Sequence, residues 1–428
     1  MMCEKQLNLK KMDKKKVLII GMVWPEPGSS AAGTRIIQLM KLFLSLGHEL
    51  VFASAAAKSD FSCDLSILQV AEWNINLNDY EFNRQLKAGQ PDIVIYDRFV
   101  TEEQYGWRVT QECPGALKIL DTEDLHFLRL ARQAAIKAGR LFTSDDLYSD
   151  MAKREIASVF RCDLSLIISE AEMLILRQQF RIEQSLLYHL PFMEEEISET
   201  ISTHWKPFEE REGFVFIGNY LHEPNWHTLQ ILKTKIWPAL SKKLPGTGMH
   251  IYGAYASEKV MQLNNITGKF YVHGRAADAR EVIAKHKVLL APIEFGAGLK
   301  GKFIDAMQAG TPAVTTTIGA EAMNGTLDWN GAIADDPEIF IYEAVKLYQD
   351  QHSWRQAQQN GITIINERYS ALKLAAPFEE RLSKLITYLK THRQHNFTGQ
   401  ILQHHMLNST KYMSLWIEEK TANKGRGN

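Results

Sequence analysis

Two lysines and three glycines stand close together after a predicted strand at 288–291. In chain order they are Gly296, Gly298, Lys300, Gly301 and Lys302. Glycines let a backbone approach a ligand and turn sharply, and the N-terminus of the helix predicted to follow offers free N–H groups to an anion. Ammonium groups suit phosphate. The segment therefore predicts a phosphate site, although such turns and solvated lysines are also common in α/β proteins.

Asp305 stands one turn into the same predicted helix. A carboxylate cannot help to bind an anion, but it accepts hydrogen bonds from sugar hydroxyls. The loop and Asp305 together therefore suit a sugar nucleotide diphosphate. Because the helix dipole stabilises an acid here by ~0.3–1 kcal/mol, a structural role for Asp305 stays open.

His126 follows a predicted strand at 118–120, and Asp121 and Asp124 lie between them. Ligands of open α/β sheets bind at the carboxyl ends of the strands, and histidine is the most frequent general acid or base. We predict His126 and Asp121 as catalytic residues. The alternatives are a packing histidine and aspartates that cap the next helix, the role we favour for Asp124.

The composition bounds the class of protein. A chain of 428 residues predicts two or three domains. Its 45% apolar and 23% charged residues are typical of a soluble globular protein, and a net charge of −1 gives no global field to recruit nucleic acid. The four cysteines form no Cys-x-x-Cys pair, which favours a reducing compartment. Because no apolar run reaches ~20 residues and no signal-peptide core precedes the first strand, we predict a cytoplasmic protein.

Strands alternate with helices in two separate series, which is typical of parallel sheets covered on both faces. The first series starts at Val17 and the second at Phe214. We therefore predict an α/β protein with two doubly wound domains that face a cleft. The predicted parts are a flexible basic tail (1–16), a first domain (17–195), a linker (196–212), a second domain (213–370), a C-terminal helix that could pack back on the first domain (371–395) and a polar extension (396–428). The tail lysines allow weak attraction to anionic lipid, with a merely solvated tail as the alternative.

Several short motifs occur in a specific order along 17–390. They are Gly47-His48-Glu49-Leu50-Val51, Asp121-Thr122-Glu123-Asp124-Leu125-His126, Phe216-Ile217-Gly218, His222-Glu223-Pro224-Asn225, Gly274-Arg275, and the glycine loop with Asp305-Ala306-Met307-Gln308-Ala309-Gly310-Thr311-Pro312. With these motifs the chain resembles the GT-B glycosyltransferases, and within them the family-four group of retaining enzymes, also described as glycosyl transferases group 1. The resemblance implies two Rossmann-like domains, with the donor bound by the second and the acceptor mostly by the first.

The resemblance also implies roles for individual residues. Asp305 would hold the ribose hydroxyls of the donor, although it is shorter than the usual Glu. Lys300 and Lys302, with Gly296, Gly298, Gly301 and the first-domain Gly33, would bind the diphosphate. Gly274 and Arg275 would lie beside the nucleotide base, and His126 would lie near the reacting sugar.

The chain departs from the family pattern at two places. The acid that many relatives carry eight positions before Asp305 is replaced by Ala297. The Arg and Lys that many have after the Phe-x-Gly strand are also missing, since Asn219, Tyr220 and Glu223 stand there. The two loop lysines would have to replace the lost cations electrostatically.

The predicted function is transfer of a sugar from a UDP-, GDP- or ADP-sugar to a hydroxyl acceptor (a glycan, a lipid-linked sugar or a small molecule), as in polysaccharide biosynthesis. The resemblance implies retention of configuration. We expect no cofactor and no metal, since no Asp-x-Asp cluster stands in a suitable loop and His404-His405 lacks further ligands. Two alternatives stay open, a sugar-nucleotide epimerase of the same fold and a non-catalytic sugar-nucleotide-binding protein. The oligomeric state is not predicted.

Overall fold

The computed structural model describes residues 13–426. Most of the predicted tail at 1–16 and the last two residues of the extension at 396–428 therefore lie outside the described residues. The first β-strand begins at Lys16, within the predicted tail, and Lys14 already forms an ion pair with Glu49.

The first domain contains a parallel seven-stranded sheet in the order β3-β2-β1-β4-β5-β6-β7. Its strands are β1 (Lys16–Gly21), β2 (Glu49–Ser54), β3 (Ala71–Asn74), β4 (Ile93–Asp97), β5 (Leu117–Asp121), β6 (Leu164–Ile167) and β7 (Leu187–His189). Its helices are α1 (Ala31–Ser45), α2 (Glu81–Gly89), α3 (Arg98–Glu112), α4 (His126–Lys137), α5 (Asp150–Arg161) and α6 (Glu170–Gln178). The central strands β1 and β4 are mostly apolar because helices cover both of their faces.

The second domain contains a parallel six-stranded sheet in the order β10-β9-β8-β11-β12-β13. Its strands are β8 (Phe214–Ile217), β9 (Met249–Tyr252), β10 (Phe270–Gly274), β11 (Val288–Ala291), β12 (Ala313–Thr315) and β13 (Gly331–Ile333). Helix α7 (Glu199–Ser202) precedes this sheet, and the others are α8 (Glu223–Ile231), α9 (Trp237–Lys243), α10 (Glu258–Met261), α11 (Ala279–Ile283), α12 (Gly301–Gln308), α13 (Thr317–Ala320), α14 (Pro337–Gln349) and α15 (Gln351–Ile364).

Each sheet reverses its strand order at one point, between β1 and β4 in the first and between β8 and β11 in the second. The loops that leave these strands at their carboxyl ends form the crevice in which doubly wound domains bind ligands. The β1–α1 loop and the β11–α12 glycine loop both start at such a point. This topology confirms the predicted class of two doubly wound α/β domains.

The C-terminal helices return to the first domain. Helix α16 (Ala371–Thr387) places Phe378, Leu382 and Leu385 in the core that also contains Phe43, and the rings of Phe43 and Phe378 lie 5.7 Å apart. Helices α17 (Leu389–His395) and α18 (Phe397–Arg426) follow, and Arg108 of α3 donates to Ser414 of α18 at 3.0 Å. None of the helices in the described range is long and apolar enough to cross a membrane.

The chain passes between the domains twice, and the two crossings are paired. The Glu194 N–H donates to the Tyr369 carbonyl at 2.6 Å, and the Ala371 N–H donates to the Glu194 carbonyl at 2.9 Å. The predicted linker at 196–212 is not wholly irregular, since it contains α7. The predicted series lacks two strands, β3 and β13, because they lie at sheet edges and are only four and three residues long.

Candidate active site

The N-termini of α1 and α12 meet across the cleft. A methyl group placed on Gly301 would lie 3.0 Å from the Cβ of Ala31, so the glycine permits this approach. The residue before α12 is Lys300, whose side chain does not cap the helix. The Phe303 N–H donates to the Lys300 carbonyl at 2.9 Å, and no side-chain cap covers the start of α12, which favours an anion there.

Gly33 lies in the first turn of α1, but its N–H is already taken. The Ser30 hydroxyl accepts it at 3.0 Å. A glycine is needed here for packing, since a Cβ would lie only 2.5 Å from the backbone of Glu26. The diphosphate contact predicted for Gly33 thus has no free N–H to make it, and we assign the residue a structural role.

The ammonium groups of Lys300 and Lys302 lie on the side of the glycine loop that faces the cleft. Lys300 is buried and donates to the Gly298 carbonyl at 2.9 Å. Lys302 is half-buried, donates to Asn225 Oδ1 at 2.6 Å and lies over the ring of Phe216. Within the described residues neither lysine forms an ion pair with a carboxylate. Burial lowers the pKa of Lys300 to about 8, and burial together with repulsion from Lys300 lowers the pKa of Lys302 to about 7.

The remaining loop glycines join the two domains. Gly298 has a φ of +61°, and a Cβ there would lie 3.0 Å from the Cβ of Asp124. The Gly296 carbonyl accepts a hydrogen bond from Arg132 at 2.8 Å, and the same guanidinium pairs with Glu321 at 2.7 Å. These contacts place the glycine loop directly against the β5–α4 loop of the first domain.

Asp305 is tied to an arginine that the sequence reasoning did not identify. Its Oδ1 lies 2.9 Å from Arg280 Nε, and Arg280 Nη2 lies 2.7 Å from Glu194. Burial raises the pKa of Asp305 although Arg280 opposes the shift. Among the described residues, Oδ2 of Asp305 has no hydrogen-bond partner, so one oxygen is available to a ligand hydroxyl.

His126 is the first residue of α4, and its Nε2 lies 3.3 Å from Asp124 Oδ1. The other oxygen of Asp124 lies 2.7 Å from Nε of Arg129, one turn further along α4. Burial lowers the pKa of His126 to about 4, so the imidazole is neutral at pH 7. Asp124 is not the helix cap that we favoured from the sequence. The carboxylate of Glu155 accepts the N–H groups of His126 and Phe127, each at 3.0 Å.

Asp121, the second predicted catalytic residue, does not reach the cleft. Its side chain and that of Arg35 are both 0% exposed, and Oδ1 lies 2.7 Å from Arg35 Nη2 and 2.9 Å from Nε. Arg35 also donates to the Leu190 carbonyl at 2.8 Å. The geometry corrects the prediction, since a carboxylate fully enclosed by this pair has no access to a substrate.

Gly274 and Arg275, predicted near the base, lie at the carboxyl end of β10. The Gly274 carbonyl accepts from Gly253 at 2.7 Å, and Gly274 has a φ of +76°. The Arg275 guanidinium lies 4.1 Å from the ring centre of Phe61 and 3.4 Å from the Ser29 hydroxyl, both in the first domain. This end of the cleft is therefore closed by first-domain residues.

Three residues near the lysines escaped the sequence reasoning as site residues. Arg129 follows His126 by one helical turn, a spacing that places both on one face and could have identified it. His222 and Asn225 belong to the His222-Glu223-Pro224-Asn225 motif, from which we predict no role for either side chain. His222 is exposed to solvent, but desolvation by the surrounding walls of the cleft and the charge of Arg129 lower its pKa to about 4. The charge of Lys302 also acts on it, so these groups from both domains share one region.

Residues 211–350 match a family described as glycosyl transferases group 1. This matched domain is similar to group 1 glycosyltransferases. This domain begins just before β8 and contains the glycine loop, both lysines and Asp305. No curated protein matches the chain by sequence.

The fold of this chain is similar to that of solved GT-B structures. Sucrose-phosphate synthase from Thermosynechococcus elongatus superposes with a TM-score of 0.65 at 13% identity, over 87% of this chain and 100% of the other. HepE from Anabaena, in complex with UDP-glucose, superposes with a TM-score of 0.63 at 13% identity, over 87% of this chain and 100% of the other. A glycosyltransferase from Rickettsia africae superposes with a TM-score of 0.61 at 12% identity, over 88% of this chain and 99% of the other. These similarities establish the GT-B fold.

Proposed function

We propose that this protein transfers a sugar from a nucleoside diphosphate sugar to a hydroxyl acceptor, with the donor bound by the second domain and the acceptor by the first. The observation that carries the proposal is the pair of lysines at the N-terminus of α12. Lys300 repels Lys302, neither ammonium group has a carboxylate within ion-pair distance in the described part of the chain, and both stand at an N-terminus without a side-chain cap. A diphosphate supplies the negative charge that this arrangement lacks.

The same groups would act on the reaction as well as on binding. Transfer leaves a nucleoside diphosphate, whose negative charge grows in the transition state. Fixed ammonium groups and helix N–H groups stabilise that charge without reorganising. His222 lies within electrostatic reach of both Arg129 and Lys302, and we propose that Arg129 replaces one of the cations missing after the Phe-x-Gly strand. In this proposal the reaction requires no metal. The described residues contain no group of His, Cys, Asp or Glu that could hold a metal ion.

The other positions follow from the geometry. Asp305 would accept a ribose hydroxyl through Oδ2, and the nucleotide base would lie toward Gly274 and Arg275. His126, neutral at pH 7, would exchange hydrogen bonds with the transferring sugar, while Asp124 holds its ring. Retention of configuration is proposed from the family resemblance alone, and we assign no covalent nucleophile.

We propose UDP-sugars as the first donors to test, followed by GDP- and ADP-sugars. The support is a structural neighbour, HepE, which was solved in complex with UDP-glucose. A glycan or lipid-linked acceptor and a role in polysaccharide biosynthesis, at the cytoplasmic side of a membrane, remain part of the proposal. Opening at the paired crossings, where Glu194 bonds to Tyr369 and Ala371, would admit the donor, and closing would exclude water.

We expect the correct nucleoside diphosphate to raise the melting temperature. A ligand at 100 times its Kd stabilises the folded state by about 2.7 kcal/mol. Thermal-shift assays with UDP, GDP and ADP identify the base, and the corresponding nucleoside monophosphates are matched controls that lack the second phosphate. Product analysis of the matching nucleotide sugar then separates acceptor-dependent release of diphosphate from epimerised donor or from binding alone. Stabilisation by none of the three diphosphates would contradict the proposed site.

Donor affinity should fall as the pH rises above 7. Lys302 has a lowered pKa of about 7 in the free protein, so it loses its charge above that pH, and binding must then take up a proton. We expect the Kd of a nucleotide sugar, whose diphosphate does not titrate here, to rise roughly tenfold from pH 7 to pH 8.5. Calorimetry at both pH values tests this, and Lys302→Ala should weaken the dependence to the part that comes from Lys300, whose pKa is about 8. An equal Kd at both pH values in the unmodified protein would exclude this role of Lys302.

A further inference from the structure

One buried carboxylate connects the two loops to which we assign chemistry. Glu172 lies on α6 of the first domain and is 0% exposed. A single oxygen, Oε1, accepts the N–H of Leu125 at 2.8 Å and the N–H of Gly298 at 2.8 Å. Leu125 immediately precedes His126, and Gly298 belongs to the glycine loop of the second domain. The same atom thus joins the first-domain loop to the donor loop across the cleft.

The surroundings of Glu172 are unfavourable for an ionised carboxylate. The other oxygen of Glu172, Oε2, is buried without a hydrogen-bond partner among the described residues. Burial, together with the negative charge of Asp124, raises the pKa of Glu172 to about 7. A buried, half-satisfied carboxylate is unfavourable for stability. Its two short hydrogen bonds are made to the backbone of the loops, so their geometry fixes where the loops lie.

The backbone conformation of Gly298 suits its hydrogen bond to Glu172. Its positive φ aims its N–H at Glu172, and the absence of a Cβ lets the loop lie against Asp124. Lys300, two residues further on, is anchored by its own ammonium group to the Gly298 carbonyl. A displacement of Gly298 would therefore also displace Lys300.

We propose that Glu172 is a positioning residue for the transfer reaction, which fixes the His126 loop and the diphosphate-binding loop relative to each other through one shared oxygen. It touches neither donor nor acceptor in this proposal and acts through Leu125 and Gly298. The inference rests on the proposed function for its kinetic consequence, but the connection itself can be tested in the ligand-free protein.

Hydrogen–deuterium exchange of the ligand-free protein tests the connection without any substrate. Glu172→Ala should accelerate exchange at both Leu125 and Gly298 by ~10-fold or more, the factor that a hydrogen bond to a charged group is worth. Glu172→Gln keeps an acceptor oxygen and should accelerate both less. Glu170→Gln is the matched control, since Glu170 lies on the same helix and also contacts the second domain, pairing with Arg368 at 2.7 Å. Faster exchange at only one of the two loops, or at neither, would overturn the proposal.

Kinetics then tests the consequence. Because a misplacement of about 1 Å can cost ~10²-fold, we expect Glu172→Ala to lower kcat for release of UDP from UDP-glucose by up to ~10²-fold. The Kd for UDP should change by only a few-fold, and Glu172→Gln should lie in between. An unchanged kcat, or a loss explained wholly by a weaker Kd, would show that Glu172 is merely structural. If the unmodified protein neither binds UDP nor releases it, the proposed donor fails, while the exchange experiment still decides the role of Glu172.

Discussion

Replacing both Lys300 and Lys302 with alanine should lower kcat/KM for the nucleotide sugar by about 10³-fold. Removal of a single group that stabilises developing charge costs ~10²–10³-fold in comparable sites, and the two ammonium groups act on the same diphosphate. The loss should appear in the Kd of the nucleoside diphosphate as well as in kcat, because the charge is present in the ground state and grows in the transition state. Calorimetry and initial rates measure the two effects separately.

The matched control is the double variant Lys242→Ala and Lys243→Ala. These lysines are exposed at the end of α9, and their replacement changes the net charge of the protein by the same amount. The control should bind and turn over like the unmodified protein. If the Lys300 and Lys302 variant stays folded and retains the donor affinity, the diphosphate site lies elsewhere and the proposed function loses its main support.

Replacing Asp121 with alanine should destabilise the first domain by about 3–5 kcal/mol. The substitution leaves the guanidinium of Arg35 buried without its charge partner, and Arg35 is 0% exposed. A double variant, Asp121→Ala with Arg35→Met, removes both charges and should recover much of the stability, since apolar side chains often replace a buried ion pair without loss. Denaturant unfolding monitored by circular dichroism measures the difference.

This experiment also decides between the two roles considered for Asp121. If the role of Asp121 is structural, we expect the double variant to regain catalysis together with stability. If instead Asp121→Ala keeps the stability of the unmodified protein and loses transfer, the carboxylate acts in the chemistry. The catalytic role predicted from the sequence would then replace the structural one.

Much of the fold followed from local signals. The apolar runs of β1, β4 and β11 are long enough to identify buried parallel strands, because both of their faces are covered and no polar alternation interrupts them. The short edge strands β3 and β13 lack such runs, since a strand at the edge of a sheet buries less surface. They become strands only because a neighbour supplies their hydrogen bonds.

The features of the candidate site also separate into local signals and contacts between distant segments. Two doubly wound domains and a glycine loop with two lysines and Asp305 could be predicted from residue order, because these features depend on neighbours in the chain. The pairing of Asp121 with Arg35, the contact of Arg280 with Asp305 and the hydrogen bond from Gly298 to Glu172 become visible in the folded chain alone. Which partner meets a buried charge depends on how distant segments pack, and residue spacing along the chain does not record it.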